Sequence, residues 1–415
     1  MRHGCLIVLL SLASLTAKAS EESTSMPDSH TSEVISLMTD FARRTGLDSD
    51  RPPQRYLWTD AFAVCNFLGL ASTTGDQRYT ELALALVDQV HHTLGRHRDD
   101  DSRSGWISGL DEREGEAHPT RGGLRIGKQL PERNQGGAID ERLEWERDGQ
   151  YFHYLTRWMH ALDQASRSTG DSRYNAWARE LAATAHDAFT YPPPVGLTPR
   201  MFWKMSIDLR RPLVTSMGQL DPLDGYVTSL QLRATAAGPP QPVKEPDLEE
   251  VTRRYAEMLD QSRLAGPDPL GIGGLLIDAW RLTQLESEEG ERDEGLVGQL
   301  LGAALSGLQF YASSGELQAP AGYRLAFREL GLAIGLHAVE RMWEETVRRR
   351  IGINPETREK LEALMRYRPL GREIETFWRD PGNQRAGTWT EHLDINEVML
   401  ATSLAPDGYL LLGSE

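Results

Sequence analysis

A helical hairpin that occurs twice constrains the fold of this chain more than any other feature. The turn at residues 74–79 (Thr-Gly-Asp-Gln-Arg-Tyr) returns at residues 169–174 (Thr-Gly-Asp-Ser-Arg-Tyr), at an offset of 95 residues. The apolar spacing after each turn repeats as well, so that Ala83 corresponds to Ala178. A unit that recurs at a fixed offset indicates an array of helical hairpins.

Twelve segments have the apolar spacing of amphipathic or fully buried helices. They are residues 32–44, 57–71, 78–94, 147–166, 173–189, 224–236, 248–263, 272–285, 294–312, 323–348, 355–367 and 391–404. The even-numbered segments are rich in apolar and small residues, and the odd-numbered ones carry solvent-facing charges. This alternation predicts an all-α fold, an (α/α)6 toroid in which six inner helices are surrounded by six outer ones. A closed ring needs no polar capping repeats, although an open superhelix of helix pairs remains the alternative.

The predicted toroid occupies residues 31–415 as a single domain, and we expect no sheet in it. A long polar loop at residues 96–140 interrupts the helices, and loops of this length are often lids or binding loops. Residues 201–213 fit no element, and residues 409–412 resemble a terminal strand.

The first 19 residues have the features of a signal peptide. A charged start is followed by an apolar run from Cys5 to Leu15 and by the small-residue cleavage pattern at residues 17–19. We therefore predict a secreted or periplasmic protein, with a disordered leader at residues 20–30; the alternative is a cytoplasmic protein with a chance apolar extension. Cleavage after Ala19 would leave Cys65 as the one cysteine, in an apolar run typical of a buried structural thiol.

The charge and the motifs exclude several classes of function. A net charge of −16 argues against nucleic-acid and anionic-membrane partners, and no later stretch is apolar enough for membrane insertion. Histidines, cysteines and carboxylates show no metal-ligand spacing, and glycine-rich runs at 122–127 and 271–274 lack the strand that a nucleotide site requires. We predict no cofactor and no metal, and the oligomeric state stays open.

Candidate site residues lie where the inner helices are predicted to begin, because all six starts should share one rim. Five of the six starts combine carboxylates with aromatic residues or histidine, and this combination suits sugar binding and acid/base chemistry. The catalytic candidates are Asp60, Asp148, Glu391, His153 and His392. The substrate-binding candidates are Trp58, Trp145, Tyr151, Asp224, Tyr226, Tyr323 and Trp389. For Asp60, Asp148 and Asp224 the competing interpretation is helix capping.

The helix count, the repeated turns and these start motifs resemble the six-hairpin glycosidase-like (α/α)6 toroids over about residues 31–404. Residues 58–62 (Trp-Thr-Asp-Ala-Phe) look like the aspartate-bearing motif of unsaturated glucuronyl hydrolases, and Asp148 resembles a second such carboxylate. The layout is also similar to N-acylglucosamine 2-epimerase-like proteins, which use paired histidines, and His392 stands where one is expected. These motifs are shared across the fold and identify no single family.

Three functions follow from the resemblance and the residues. The first is a carbohydrate-active hydrolase for a small-molecule or oligosaccharide substrate, with Asp60 or Asp148 as general acid and Glu391 activating water. The second is a sugar epimerase or isomerase in which His153 or His392 transfers a proton. The third is a non-catalytic binding toroid, which predicts a cavity filled by apolar side chains or loops.

Overall fold

The computed structural model describes residues 29–193, 198–236, 246–285, 294–348 and 352–413. The predicted signal peptide and most of the predicted leader lie outside the described residues, and the first helix begins at Ser29. The helices are α1 Ser29–Arg44, α2 Leu57–Thr74, α3 Gln77–Leu94, α4 Glu112–Ala117, α5 Glu141–Glu146, α6 Phe152–Thr169, α7 Ser172–Phe189, α8 Asp221–Ala236, α9 Glu249–Met258, α10 Pro269–Gln284, α11 Glu294–Ser313, α12 Ala326–Val347, α13 Pro355–Met365, α14 Arg368–Arg379, α15 Gly387–Thr390, α16 Leu393–Leu404 and α17 Asp407–Leu410. The strands are β1 Gln150–Tyr151, β2 Thr190–Tyr191, β3 Arg200–Met201, β4 Lys204–Met205 and β5 Pro212–Val214.

Six helices form a closed inner ring. In order around the ring they are α2, α6, α8, α10, α12 and α16, and α16 packs back against α2. Helices α3, α7, α9 and α11 each cover the inner helix that precedes them, α13 and α14 cover α12, and α1 covers α16. The predicted (α/α)6 toroid is therefore confirmed, and the open superhelix is not the architecture.

The two copies of the repeated turn fold identically, which explains why the sequence repeats there. Gly75 and Gly170 end their helices in the left-handed region, with φ of 73° and 72°. The aspartate that follows each glycine accepts the backbone N–H two residues on, at 2.9 Å for Asp76 and 3.0 Å for Asp171. A left-handed glycine that ends one helix and an aspartate that caps the next join antiparallel helices by a short turn.

Small antiparallel strands occur where no sheet was expected. Strand β4 lies between β1 and β5, and β2 pairs with β3. The predicted start of this inner helix at residue 147 is wrong. Because β1 pairs with β4, α6 begins only at Phe152. Residues 201–213, which fitted no predicted element, contain most of this sheet.

Two further departures concern the C-terminal part of the chain. Helix α14 was missed, although its buried residues Leu370, Ile374 and Trp378 have helical spacing. The tail predicted as a strand instead forms the short helix α17, so that prediction is wrong. Backbone carbonyls of this tail accept hydrogen bonds from side chains inside the toroid, and these bonds hold the tail in the short helix α17.

The tail closes one end of the toroid. Because α17 follows the C-terminal end of α16, it lies at the rim opposite to the starts of the inner helices. His160 donates to the carbonyl of Tyr409 at 3.0 Å, and Gln164 donates to that of Gly408 at 2.9 Å. The ring of Tyr409 stacks on Phe62 with centroids 4.4 Å apart. No described helix has the length and apolarity that a membrane crossing requires.

Candidate active site

The starts of the inner helices surround a narrow pit on the axis of the toroid. Its volume is about 30 Å³, and its lining is Trp58, Phe62, Arg157, Leu270, Gly274, Ile277, Gly331, Ile334, Met399 and Tyr409. A space of this size admits a water-sized group but not a sugar ring. The indole N–H of Trp58 is buried and has no hydrogen-bond partner among the described residues. A ligand at this end of the toroid therefore sits over the pit and inserts at most one small polar group.

An aspartate and a histidine face each other beside the pit. Nδ1 of His153 lies 3.9 Å from Oδ1 of Asp221, the first residue of α8. Burial, and next the charge of Asp224, raise the pKa of Asp221 to about 8. Burial, and next the charge of Arg157, lower the pKa of His153 to about 3. At neutral pH a protonated carboxyl group therefore faces a neutral imidazole.

One turn further along α8, Asp224 is paired with an arginine. Nη2 of Arg157 donates to Oδ1 of Asp224 at 3.0 Å, and both side chains are nearly buried. The guanidinium carbon of Arg157 also lies 5.8 Å from the centre of the Trp58 ring. Two carboxyl groups on the same helix thus have different partners, because Asp221 makes no ion pair with an arginine or lysine of the described chain.

Aromatic rings extend from this pair across the rim, in a group that we call the aromatic shelf (Trp145, Tyr151, His153 and Trp203). Trp203 lies 4.5 Å from Trp145, 5.5 Å from Tyr151 and 6.0 Å from His153, measured between ring centres. Trp145 is the exposed member, at 49 %. Aromatic rings that are partly open to water are suited to packing against the apolar faces of sugars.

A buried lysine holds the shelf in place. Lys204 Nζ donates to the backbone carbonyls of Glu144 and Arg147, at the end of α5, and lies 5.3 Å from the centre of the Tyr151 ring. Burial lowers the pKa of Lys204 to about 8. The lysine thereby fixes α5, which carries Trp145, to β4.

The predicted general acids Asp60 and Asp148 are both fully buried. Asp60 accepts the backbone N–H of Tyr56 at 2.8 Å and Nη1 of Arg55 at 3.4 Å. Burial, despite Arg55, raises the pKa of Asp60 to about 6. Asp148 accepts from the backbone N–H groups of Gly127 and Gly149 and from the guanidinium groups of Arg98 and Arg125. Neither aspartate is an N-cap, because Tyr56 and Tyr151 hold the N-cap positions of α2 and α6. The contacts of Asp148 instead fasten the 96–140 loop to the segment between α5 and β1.

The remaining predicted residues divide between the surface, the core and the pit. Glu391 and His392 are exposed at the α16 side of the rim, and Tyr323 is 85 % exposed near the start of α12. Trp389 is buried, with its ring centre 5.7 Å from that of Trp378. Tyr226 is half-buried on α8. The structure brings together Trp58, Trp145, Tyr151, His153 and Asp224.

Three residues at this place were not among the sequence-based candidates: Arg157, Trp203 and Asp221. Arg157 had a signal, because a charged residue in an apolar inner helix needs a buried partner. Asp221 precedes a proline at a helix start and so resembles a cap residue. Trp203 had no signal, because its segment fitted no element. No group of three histidines, cysteines or carboxylates in the described residues has the arrangement of a metal site.

Solved structures resemble this chain, whereas no protein-family model and no curated protein matches it. A GH76 α-mannanase of Bacteroides thetaiotaomicron superposes with a TM-score of 0.53 and 11 % sequence identity, over 91 % of this chain and 95 % of that one. An α-1,6-mannanase of Salegentibacter sp., in complex with α-1,6-mannotetrose, gives 0.51 and 12 %, over 91 % and 99 %. That enzyme is an inactive variant in which two consecutive aspartates are replaced by alanine. The likeness confirms the six-hairpin (α/α)6 fold.

Proposed function

We propose that this chain is a carbohydrate-active hydrolase whose active site is the rim around Asp221. The carrying observation is the pair on α8: a carboxyl group whose pKa is raised to about 8, beside a carboxylate bound by Arg157. Glycosidases commonly require one protonated and one ionised carboxyl group. The fold shared with two mannanases supports the proposal, and it makes α-linked mannan oligosaccharides the first substrates to test.

Each group in the pair has a defined role in this mechanism. Asp221 donates its proton to the glycosidic oxygen as the bond to the leaving sugar breaks. Asp224, which is bound by Arg157, stabilises the positive charge that develops on the sugar ring and assists the attacking water. The aromatic shelf binds the neighbouring sugar units, and Trp58 offers its unpaired N–H to a hydroxyl group above the pit.

The consecutive aspartates of the Salegentibacter enzyme do not identify catalytic residues in this chain. This chain has one run of consecutive aspartates, at residues 99–101. Asp100 is ion-paired with Arg98, and Asp101 with Arg103. The proposed site therefore depends on the α8 pair alone.

The experiment is a hydrolysis assay on α-mannan, neutral and uronic-acid oligosaccharides with wild type, Asp221→Asn and Asp224→Asn. Asp50→Asn is the matched control, since Asp50 is exposed and distant in sequence from the site. We expect each α8 substitution to lower kcat by at least 100-fold, as general acid/base catalysis commonly supplies, with Asp50→Asn unchanged. Full turnover by Asp221→Asn and Asp224→Asn would remove both residues from the mechanism.

A second candidate function is a glycan-binding toroid without catalysis. The small volume of the pit favours it, because the axis is filled by side chains such as Tyr409 and Phe62. It predicts that oligosaccharides bind wild type and Asp221→Asn equally well and that neither protein releases a product. The epimerase has no comparable support, because a histidine with a pKa near 3 is a weak base at neutral pH.

We also propose that the protein is exported and cleaved after Ala19, on the basis of the charged start, apolar run and small-residue pattern. The test is mass spectrometry of the mature N-terminus after expression with the native leader. A mature protein that starts at Ser20 in the secreted fraction supports export. An intact Met1 on protein retained inside the cell contradicts it.

A further inference from the structure

A second cavity, separate from the pit, lies between the 96–140 loop and the turn that joins β4 to β5. We call it the charged cleft; its volume is about 610 Å³, and its lining includes five arginines and four carboxylates. A volume of this size lies within the range of small-molecule binding sites. Such a lining is unusual in a chain with a net charge of −16, and its hydrogen bonds show which kind of ligand would complete it.

The carboxylates of the charged cleft are already occupied. Arg98 binds Asp100 through two nitrogens, at 2.7 and 2.9 Å. Arg103 binds the other three carboxylates, namely Asp101, Glu132 and Asp208, at 2.8 to 2.9 Å. Since each acid has an arginine partner, the cleft retains little acceptor capacity for a cationic ligand.

The unused capacity consists of donors. Nη1 of Arg211 is buried and has no hydrogen-bond partner among the described residues, while its Nη2 donates to the carbonyl of Arg133 at 2.6 Å. Arg210 is exposed at the edge of the cleft, and its guanidinium group forms no hydrogen bond within the described chain. Guanidinium groups bind carboxylates, sulfates and phosphates through paired N–H groups. A ligand that completes these bonds must present an anionic, acceptor-rich group.

The turn that carries both arginines is strained in a way that fixes their position. Leu209 has φ of 59°, in the left-handed region, and is the one described residue other than glycine with a positive φ. Ser206 closes the turn, because its backbone N–H donates to the carbonyl of Arg211 at 2.8 Å and its hydroxyl group accepts the N–H of Arg211 at 3.0 Å. Strain of this kind persists where the surroundings hold it and is common at binding sites.

The charged cleft adjoins the aromatic shelf through Glu144. The side chain of Glu144 is bound by Arg133 of the cleft, and its backbone carbonyl is bound by Lys204. Trp145, which follows Glu144, and Trp203, which precedes Lys204, belong to the shelf. The cleft and the shelf are therefore neighbouring parts of the same face.

We propose that the charged cleft binds an anionic substituent (a carboxylate, or a sulfate or phosphate ester) of the glycan that lies on the aromatic shelf. This inference rests on the proposed function for the identity of the ligand as a glycan. It identifies the substrate class as an acidic oligosaccharide, recognised by Arg210 and Arg211.

The test is isothermal titration calorimetry at low salt with trigalacturonic acid, its carboxyl-reduced trimer, and inorganic sulfate and phosphate. We expect the acidic trimer to bind at least 10-fold more tightly than the reduced one and to weaken as salt rises. Arg210→Gln, at an exposed position that should not affect folding, is expected to reduce the affinity 5- to 10-fold. Arg211→Gln should reduce it further, and Arg113→Gln is the control, because Arg113 is 89 % exposed on α4.

Several outcomes would overturn the proposal. Equal affinity for both trimers, or an acidic trimer that binds both arginine variants like wild type, contradicts recognition of the anion. Sulfate or phosphate that binds as tightly as the trimer shows a site for the free oxyanion and contradicts the glycan. Failure of all four probes to bind also overturns it. Arginine-dependent binding without turnover contradicts the hydrolase and leaves the cleft assignment standing.

Discussion

His153 and Asp221 approach to 3.9 Å, between Nδ1 and Oδ1, without forming a hydrogen bond. Neither group carries a charge at neutral pH, since burial lowers one pKa and raises the other. An ordinary ion pair would have the opposite protonation states. The buried, protonated Asp221 is therefore costly to the folded state at neutral pH, and its presence is more readily explained by proton transfer than by stability.

The pH dependence of stability should reveal this proton. Asp221 holds it up to about pH 8 when folded, whereas an unfolded aspartate loses it near pH 4. Between these values the folded state binds more protons, so Asp221 makes stability fall as pH rises, by up to about 1.4 kcal/mol per pH unit. Asp221→Asn lacks this slope, and we expect its Tm relative to wild type to increase between pH 5 and 8. The Tm curve of the Asp50→Asn control should run parallel to that of wild type. If the Tm curve of Asp221→Asn also runs parallel to that of wild type, the pKa of Asp221 is not raised.

Arg157 should be required mainly because Asp224 is buried. Replacing Arg157 by Met leaves the Asp224 carboxylate uncompensated, and breaking a buried pair in this way costs about 3–5 kcal/mol. The double variant Arg157→Met/Asp224→Asn should recover most of this loss, because no unpaired charge remains. Urea unfolding of the four proteins measures the coupling. Additive losses in the double variant would mean that the two side chains act independently.

Two neighbouring glycines on α10 should behave differently. A Cβ on Gly273 would lie 2.1 Å from the carbonyl oxygen of Gly331 on α12, whereas a Cβ on Gly274 would meet no atom within 4 Å. We expect Gly273→Ala to destabilise the toroid by about 1–3 kcal/mol. Gly274→Ala should stabilise it by about 0.5–1 kcal/mol, since alanine favours a helix. Because Gly274 lines the pit, the same change should weaken ligand binding there. Thermal unfolding of both variants measures the difference. Equal losses of stability in the two variants would contradict the prediction.

Helical periodicity and the alternation of inner and outer helices predicted the toroid, and the two Thr-Gly-Asp turns placed the α2/α3 and α6/α7 hairpins correctly. These features are local: a left-handed glycine, a capping aspartate and an apolar stripe each depend on a few neighbouring residues. Helix α14 was missed although its apolar spacing is regular, because two consecutive outer helices break the alternation that we expected.

The site was less predictable, because its partners come from distant segments. Asp60 and Asp148 have the sequence context of catalytic aspartates, and only the fold shows that Arg55, Arg98 and Arg125 occupy them. Asp221 looks like a cap, and its raised pKa arises from burial and from Asp224 on the assembled helix. The closure of one end of the toroid by the tail depends on side chains some 240 residues away, such as His160 and Gln164.

Trp145 and Trp389, both substrate-binding candidates in the sequence analysis, should respond differently to substitution. Trp145 is 49 % exposed on the aromatic shelf, whereas Trp389 is 2 % exposed and packs on Trp378. We expect Trp145→Ala to reduce oligosaccharide affinity about 10-fold with little change in Tm. Trp389→Ala should instead cost about 3–5 kcal/mol of stability. Titration calorimetry and urea unfolding measure both quantities, and a large stability loss in Trp145→Ala would contradict the assignment of an exposed shelf.

Tyr409 should determine the depth of the pit. Its ring stacks on Phe62 at the floor and is 2 % exposed, so Tyr409→Ala leaves a ring-sized cavity and should cost about 3–5 kcal/mol. Tyr409→Phe keeps the ring and should stay within about 1 kcal/mol of wild type. Because phenol has the size and shape of the group that the substitution removes, it should raise the Tm of Tyr409→Ala and leave Tyr409→Phe unchanged. If phenol stabilises both variants equally, or if Tyr409→Ala unfolds like wild type, the tail does not form the floor of the pit.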